Sequence, residues 1–459
     1  MSVIWYALWF IVAVSLLVTV HEFGHYWVAR RLGFKVLRFS VGFGKPLLSR
    51  VAGVDRTEYV VAAIPLGGYV KMLDEREGPV PSVDLPRSFT RRPPWQRILV
   101  LLAGPAFNIL FAILVLWGMF WWKGASEVKP IVGDVMLNSV AAHAGLRTGD
   151  EIKAINGAPV VGQRDVVFDL LDAMSSKGVA AMSVRGSDGG TRVATLSVPD
   201  SAQRVRLTEP SELFRGLGFD FWTPPIPAVL GTVMSDGPAA RAGLKPDDRI
   251  LAIQGTPVKD FRDIVDRIGS HPGETLDITY RRDGADHTVA VKVASEDGGD
   301  GKRVGRIKVM QPVVTLPDSY VLHTDFTLGG ALGRASEEAW SLTVMQGRLV
   351  GRMVTGHVSV KNLSGPLSIA QYAGESAEAG TESFLEFLVL ISLSLGFLNM
   401  LPIPILDGGQ IVFQAVEWLK GSPLSERAQM VGWHAGLVML ALLMGVAVFN
   451  DLSSRFGAS

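Results

Sequence analysis

Ile4 to Val20 is an almost unbroken apolar run, and it passes directly into His21-Glu22-Phe23-Gly24-His25. This stretch decides the fold class. A helix that continues to Ala29 has about 25 residues, enough to cross a hydrocarbon layer of about 30 Å with some tilt. A cleaved signal peptide is the competing reading. It fits poorly, because Met1 to Tyr6 carries no basic residue and no small-residue cleavage site follows the run. Arg30, Arg31, Lys35 and Arg38 come immediately afterwards.

Working outward, the second span is residues 96–122, with Trp117, Trp121 and Trp122 toward its far end as interface anchors. Two further spans are expected at 384–408 and 431–450. The loop after the first span has Arg30, Arg31, Arg91, Arg92 and Arg97 near the membrane, and the loop between the last two has Lys420 and Arg427. The bias of Lys and Arg places both loops in the cytoplasm. Both termini and the large middle region then lie across the membrane from these loops.

The bulk composition agrees. Of 459 residues, 48% are hydrophobic and 19% charged, fewer charges than the roughly one quarter of soluble domains. Net charge is zero, so no basic surplus points to nucleic acid. There is no cysteine, which excludes disulfides and thiolate ligands and leaves His, Asp and Glu to hold any metal.

Residues 30–95 are rich in Gly, Pro and basic side chains, and Tyr59 to Val70 reads as a β-hairpin that dips into the membrane. The middle contains an internal repeat. Ile131 to Val160 matches Val229 to Val258 at constant offset, including Ala141-Ala142-His143-Ala144-Gly145-Leu146 against Ala239-Ala240-Arg241-Ala242-Gly243-Leu244. Each copy resembles a PDZ domain of the circularly permuted bacterial kind, expected at 127–215 and 216–315. Gly216-Leu217-Gly218-Phe219 resembles the PDZ loop that binds a terminal carboxylate, and is expected to serve the second copy. Residues 316–383 form an amphipathic linker region. Its helical pattern from Ser336 to Met353 suits either a membrane surface or packing on the second PDZ copy.

The chemistry starts from spacing. Residues four apart share a helix face, so His21 and His25 can bind one ion together, while Glu22 stands beside it as a base. Zinc lowers the pKa of water to about 7, which suits hydrolysis at neutral pH. A charge in an apolar span costs about 2.5 kcal/mol or more on insertion scales, so these residues are not idle lipid-facing groups. Two histidines are an incomplete site. Asp407, in Asn399-Met400-Leu401-Pro402-Ile403-Pro404-Ile405-Leu406-Asp407-Gly408, lies where two prolines break a helix at membrane depth, and irregular backbone there survives only around a protein-lined site. His434 in the fourth span is the weaker alternative.

With these elements the chain resembles the site-2 protease family of intramembrane metalloproteases. The resemblance rests on His21 to His25, Asn399, Pro402, Pro404, Asp407 and Gly408, Gly104-Pro105-Ala106-Phe107-Asn108, Gly67-Gly68-Tyr69-Val70-Lys71-Met72 and Leu363-Ser364-Gly365-Pro366. It implies one zinc ion held by His21, His25 and Asp407, with Glu22 as general base and then general acid. It implies that Asn108 and Asn399 support the site or substrate, that Pro402 and Pro404 shape the broken span, and that the hairpin at Gly67, Gly68 and Tyr69 pairs with an unwound substrate. The implied substrate is a single-span membrane protein such as a trimmed anti-sigma factor, or a remnant signal peptide, with the PDZ pair as a size filter. The expected fold is therefore a polytopic α-helical membrane protein of about four transmembrane helices, with a membrane-associated β-hairpin and two inserted periplasmic PDZ domains. Competing readings are a membrane-anchored PDZ scaffold with a non-catalytic metal site, and a metal or proton transporter.

Overall fold

The computed structural model describes residues 3–209, 211–297, 302–312 and 316–456. The boundary expected at residue 315 lies outside them. Among the described residues four helices are long and apolar enough to cross a membrane: Val3–Arg31, Pro94–Lys123, Thr381–Asn399 and Arg427–Ser453. The second opens on Pro94, where a missing N–H costs nothing, and closes at Gly124 with φ of 72°. The third ends at Asn399 rather than running on to 408. Pro402 and Pro404 cannot continue a helical hydrogen-bond ladder, so the chain turns and starts a new helix, Asp407–Lys420.

The first two helices meet at glycines. A Cβ on Gly24 would stand 2.4 Å from the Ala103 carbonyl, and one on Gly104 would stand 2.3 Å from His25 Nε2. Only glycine permits this approach, and it brings the histidine face of the first helix against the second. Ala13 and Leu17 then pack with Ala373, Phe387 and Leu388 from the C-terminal part of the chain.

The β-hairpin is larger than the sequence suggests. Thr57–Met72 is extended and doubles back, but its two arms do not pair with each other; Val36 to Val41 lies between them, and the partner segment is Val36–Ala52. The partner was hidden by its Gly42, Gly44 and Pro46, which mark irregular backbone rather than a loop; Gly42 and Gly44 both have positive φ. Val36 to Val41 lies beside both Gly68 to Met72 and Glu58 to Val61, while Pro46 to Ala52 continues the sheet beyond Thr57 to Ala62. Gly68 to Met72 therefore forms one edge. Ser15 Oγ donates to the Pro65 carbonyl at 3.2 Å, which ties this strand to the first helix.

The two middle modules share one plan. The sheet orders are Ala158–Pro159, Glu151–Ile155, Val179–Arg185, Thr191–Ser197 in the first and Thr256–Pro257, Arg249–Ile253, Thr275–Arg282, Ala285–Lys292 in the second. Each carries one longer helix, Gln163–Ser176 or Phe261–Gly269. Asp150 and Asp248 occupy equivalent buried corners. Each accepts from a backbone N–H three residues earlier, at 2.8 Å from Arg147 and 2.7 Å from Lys245, and each pairs with an arginine, Arg192 or Arg282.

The Gly216 to Phe219 loop belongs to the first module, not the second. Strand Phe219–Phe221 pairs with Val132–Val135, and Leu217 and Phe219 lie in the first core. The first module thus extends past 215. In the second module Lys308 takes the place of Gly218: Met136 N–H donates to Gly218 O at 2.9 Å, and Met234 N–H to Lys308 O at 3.1 Å. Both residues have positive φ, 80° and 57°. The first module closes with a strand late in its own sequence, just ahead of the second copy, which is why the loop reads as part of that copy.

The amphipathic helix runs from Leu328 to Val354. Its buried Ala335 and Ala339 pack on Ala112 and Leu116 of the second helix and Val389 and Leu393 of the third. Near its other end Arg352 donates to Asp172 O and Ser175 Oγ of the first module, at 2.9 and 2.5 Å. The module it meets is the first, not the second. An apolar stripe on a helix does not say what will cover it.

Candidate metal centre

His21 and His25 sit one helical turn apart, 7% exposed each. Their Nε2 atoms are 3.2 Å apart. Asp407, at the start of its helix, brings Oδ2 to 3.1 Å from His21 Nε2 and 3.4 Å from His25 Nε2. Gly408 and Gly409 make this possible. A Cβ on either would stand 2.2–2.3 Å from the carbonyls of Met400 and Ile403, so the new helix can start hard against the broken segment only without side chains there. Among the described residues this is the group of three His, Asp or Glu ligand atoms close enough to hold one ion.

The triangle passes a simple test of fit. A tetrahedral ion with ligands at about 2.0–2.1 Å has ligand-to-ligand edges of about 3.3–3.4 Å, close to the three observed separations. Two nitrogen lone pairs and a carboxylate oxygen facing one point also need a cation there to be stable in an apolar setting.

Both ring orientations are fixed from behind. His25 Nδ1 donates to the Val100 carbonyl at 2.7 Å, and His21 Nδ1 lies 3.2 Å from the Asn108 amide. A histidine whose Nε2 faces a cation carries its proton on Nδ1, so the Asn108 amide then turns to present its oxygen in place of the Nδ2 that faces the ring here. Asn108 is fully buried, and Ser392 Oγ of the third span donates to its carbonyl at 2.8 Å. Glu22 is half-buried beside the histidines and accepts from the Val70 N–H of the hairpin edge. A Cβ on Gly68 would stand 3.1 Å from Glu22 Cγ, so this strand passes directly over the carboxylate.

The other expected residues are placed as follows. Asn399 ends the third span, Pro402 is exposed and Pro404 half-buried within the break, and Gln410 Nε2 donates to Pro404 O at 2.7 Å. Gly67 packs on the Phe43 ring, and Tyr69 stacks on Phe43 and accepts from Arg38 at 3.0 Å, so Tyr69 braces the sheet. His434 is exposed and bonded to Met430 O of its own helix, outside the cluster. Gly216 to Phe219 lies in the first module, in none of these contacts. Sequence reasoning missed Val100, Val70 and Ser392. The first two act through backbone atoms, which carry no residue signature, and one serine in an apolar span is a weak signal.

Comparison with known proteins bears on this arrangement. The model of peptidase family M50 matches residues 9–443. A Neisseria meningitidis protein is 39% identical over 456 residues, covering 98% of this chain and 99% of its own. The regulator of sigma-E protease RseP of Escherichia coli K12 is 38% identical over 453 residues, covering 99% of each chain, and protease RseP of Yersinia pestis is 38% identical over 455 residues with the same coverage. A family match over nearly every element described above, from the first helix to the last, means that this chain belongs to peptidase family M50.

Proposed function

We propose that the chain is an intramembrane zinc endopeptidase that hydrolyses a peptide bond within the transmembrane segment of a single-span membrane protein. The observation that carries this reading is the meeting of His21, His25 and Asp407, with Glu22 and a sheet edge alongside. In this reading the three residues hold one zinc ion. Bound there, zinc supplies Lewis acidity to a peptide carbonyl and lowers the pKa of water to about 7.

Glu22 takes a proton from the attacking water and delivers it to the departing amide nitrogen. Val70 N–H orients its carboxylate for both transfers. Asn108 and Val100 hold the two rings with Nε2 forward. A helix hides its peptide carbonyls, so the substrate must be extended to react. The edge Gly68 to Met72 suits this, because a sheet edge adds an extended segment through its free backbone groups. Asn399, Pro402 and Pro404 shape the wall on the Asp407 side.

The name of the Escherichia coli relative concerns sigma-E regulation. By that analogy the substrate is an anti-sigma factor already trimmed on its outer side, and the protein works in a bacterial inner membrane. The two modules and both termini then face the periplasm. We read the modules as permuted PDZ domains. In the second, a groove of about 590 Å³ between Phe261–Gly269 and Gly305 to Met310 is lined by Ile264, Ile268, Ile307 and Val309. Arg306 and Lys308 pair with Glu296 and Asp236, so the carboxylate loop of this module is placed at Arg306 to Val309 by the equivalence of Lys308 with Gly218.

Cleavage of a model transmembrane substrate by the full-length chain, in detergent or liposomes, tests the reading. Glu22→Gln is expected to lower the rate by about 10²–10⁴ while keeping bound zinc. Near wild-type cleavage by that variant would reject the mechanism. A wild-type protein that binds zinc but cuts nothing would favour the scaffold reading.

A further inference from the structure

The third ligand stands on a short helix that begins at a backbone break, so something must fix how far that helix slides along its neighbour. Arg97 supplies the answer. It lies in the otherwise apolar second helix and is only 5% exposed. Its Nη2 donates to Glu417 Oε1 at 2.6 Å and its Nη1 to Glu417 Oε2 at 3.3 Å. Glu417 is on the Asp407–Lys420 helix, and its side chain is 17% exposed. A forked contact of this kind has a fixed geometry along both helices.

The two ends of the pair both lead to the site. Arg97, Val100, Gly104 and Asn108 recur at helical spacing on one face, and three of them touch the histidines: Val100 by its carbonyl, Gly104 by close approach and Asn108 by its amide. Asp407, Gln414 and Glu417 likewise share a face of the shorter helix, with Asp407 and Glu417 about 15 Å apart along the axis. Gln414 between them is 9% exposed. Buried ion pairs add little net stability, and their best attested use is to fix register.

We propose that Arg97 and Glu417 are positioning residues that set the axial register of Asp407 against His21 and His25. This rests on the metal-centre reading above. The experiment is titration of metal-free full-length protein with Co²⁺, reading both affinity and the visible spectrum that reports tetrahedral coordination, with Asp407→Ala as reference. Glu417→Gln and Arg97→Met are expected to weaken binding by about 10- to 100-fold and to alter the spectrum, as outer-shell changes do. The exchanged pair Arg97→Glu with Glu417→Arg is expected to recover most of the affinity and the wild-type spectrum. Wild-type affinity and spectrum in both single variants would overturn the inference. So would a loss that the exchange fails to restore, because packing rather than the pair would then hold the helix. A wild type that binds Co²⁺ no better than Asp407→Ala would overturn the metal-centre reading and this inference with it.

Discussion

The helical part of the chain and its two middle modules bury charged and polar side chains for opposite purposes. In the modules, Asp150 and Asp248 are 2% and 1% exposed, and each is used up by a turn N–H and an arginine. The same device appears twice because it builds a corner. In the helices, His21 and His25 are also buried, but their Nε2 atoms converge with Asp407 on one point, an arrangement found once among the described residues. Burial of a charge therefore does not mark chemistry. Convergence of ligand atoms that satisfy nothing else does.

That contrast can be broken at several places. The largest effect is expected at Glu22, where Gln should cost about 10²–10⁴ in the cleavage assay with metal content unchanged. Next is Gly104→Ala. Its methyl would sit 2.3 Å from His25 Nε2 and 2.8 Å from His21 Cε1, so metal affinity should fall by about 10- to 100-fold in a chelator competition assay. Retained affinity would mean the two helices can part without harm to the site. In the modules the expected response is to stability alone. Asp150→Ala removes the acceptor of Arg147 N–H and leaves Arg192 unpaired, at about 2–4 kcal/mol in thermal or denaturant melts, while bound metal should not change. Loss of metal in that variant would show that the two halves are not separable.

The smallest effect is expected at Asp169, on the first module's helix. Partial burial raises its carboxyl to about 6, with Asp165 and Asp172 adding to the shift and Arg348 opposing it. A carboxyl raised in the folded state favours folding most when protonated. Its contribution is complete below the unfolded value near pH 4 and declines as pH rises through about 6. Asp169→Asn should therefore raise the melting temperature near neutral pH and leave it unchanged below about pH 4. An equal rise at both would place the effect in packing, not charge.

How much of this could be read from the chain follows the same divide. The helical spacing of His21 and His25 and the prolines ahead of Asp407 pointed to a metal site, because both patterns are dictated by backbone geometry. The repeated corners at Asp150 and Asp248 were legible because they recur. The segment Gly216 to Phe219 reads from sequence as part of the second module, because its partner Val135 lies far earlier in the chain and Lys308 bears no likeness to Gly218. The Val36–Ala52 strand was missed because three local residues break its pattern. Val100 acts through a carbonyl that any residue has. Arg97 was read as a membrane-edge charge that sets orientation, and nothing in its neighbourhood named Glu417 as its partner, 320 residues away.

The helix Leu328–Val354 has a mechanical consequence. It is continuous over 27 residues, bolted by Ala335 and Ala339 to the second and third helices and hooked by Arg352 to the first module. A rod fixed to two bodies is a lever. A sideways load on the first module is passed in part along this helix to its contact with Ala112 and Leu116. That is the same helix whose next turn inward carries Asn108, so force applied outside the membrane has a stiff path to the ring of His21.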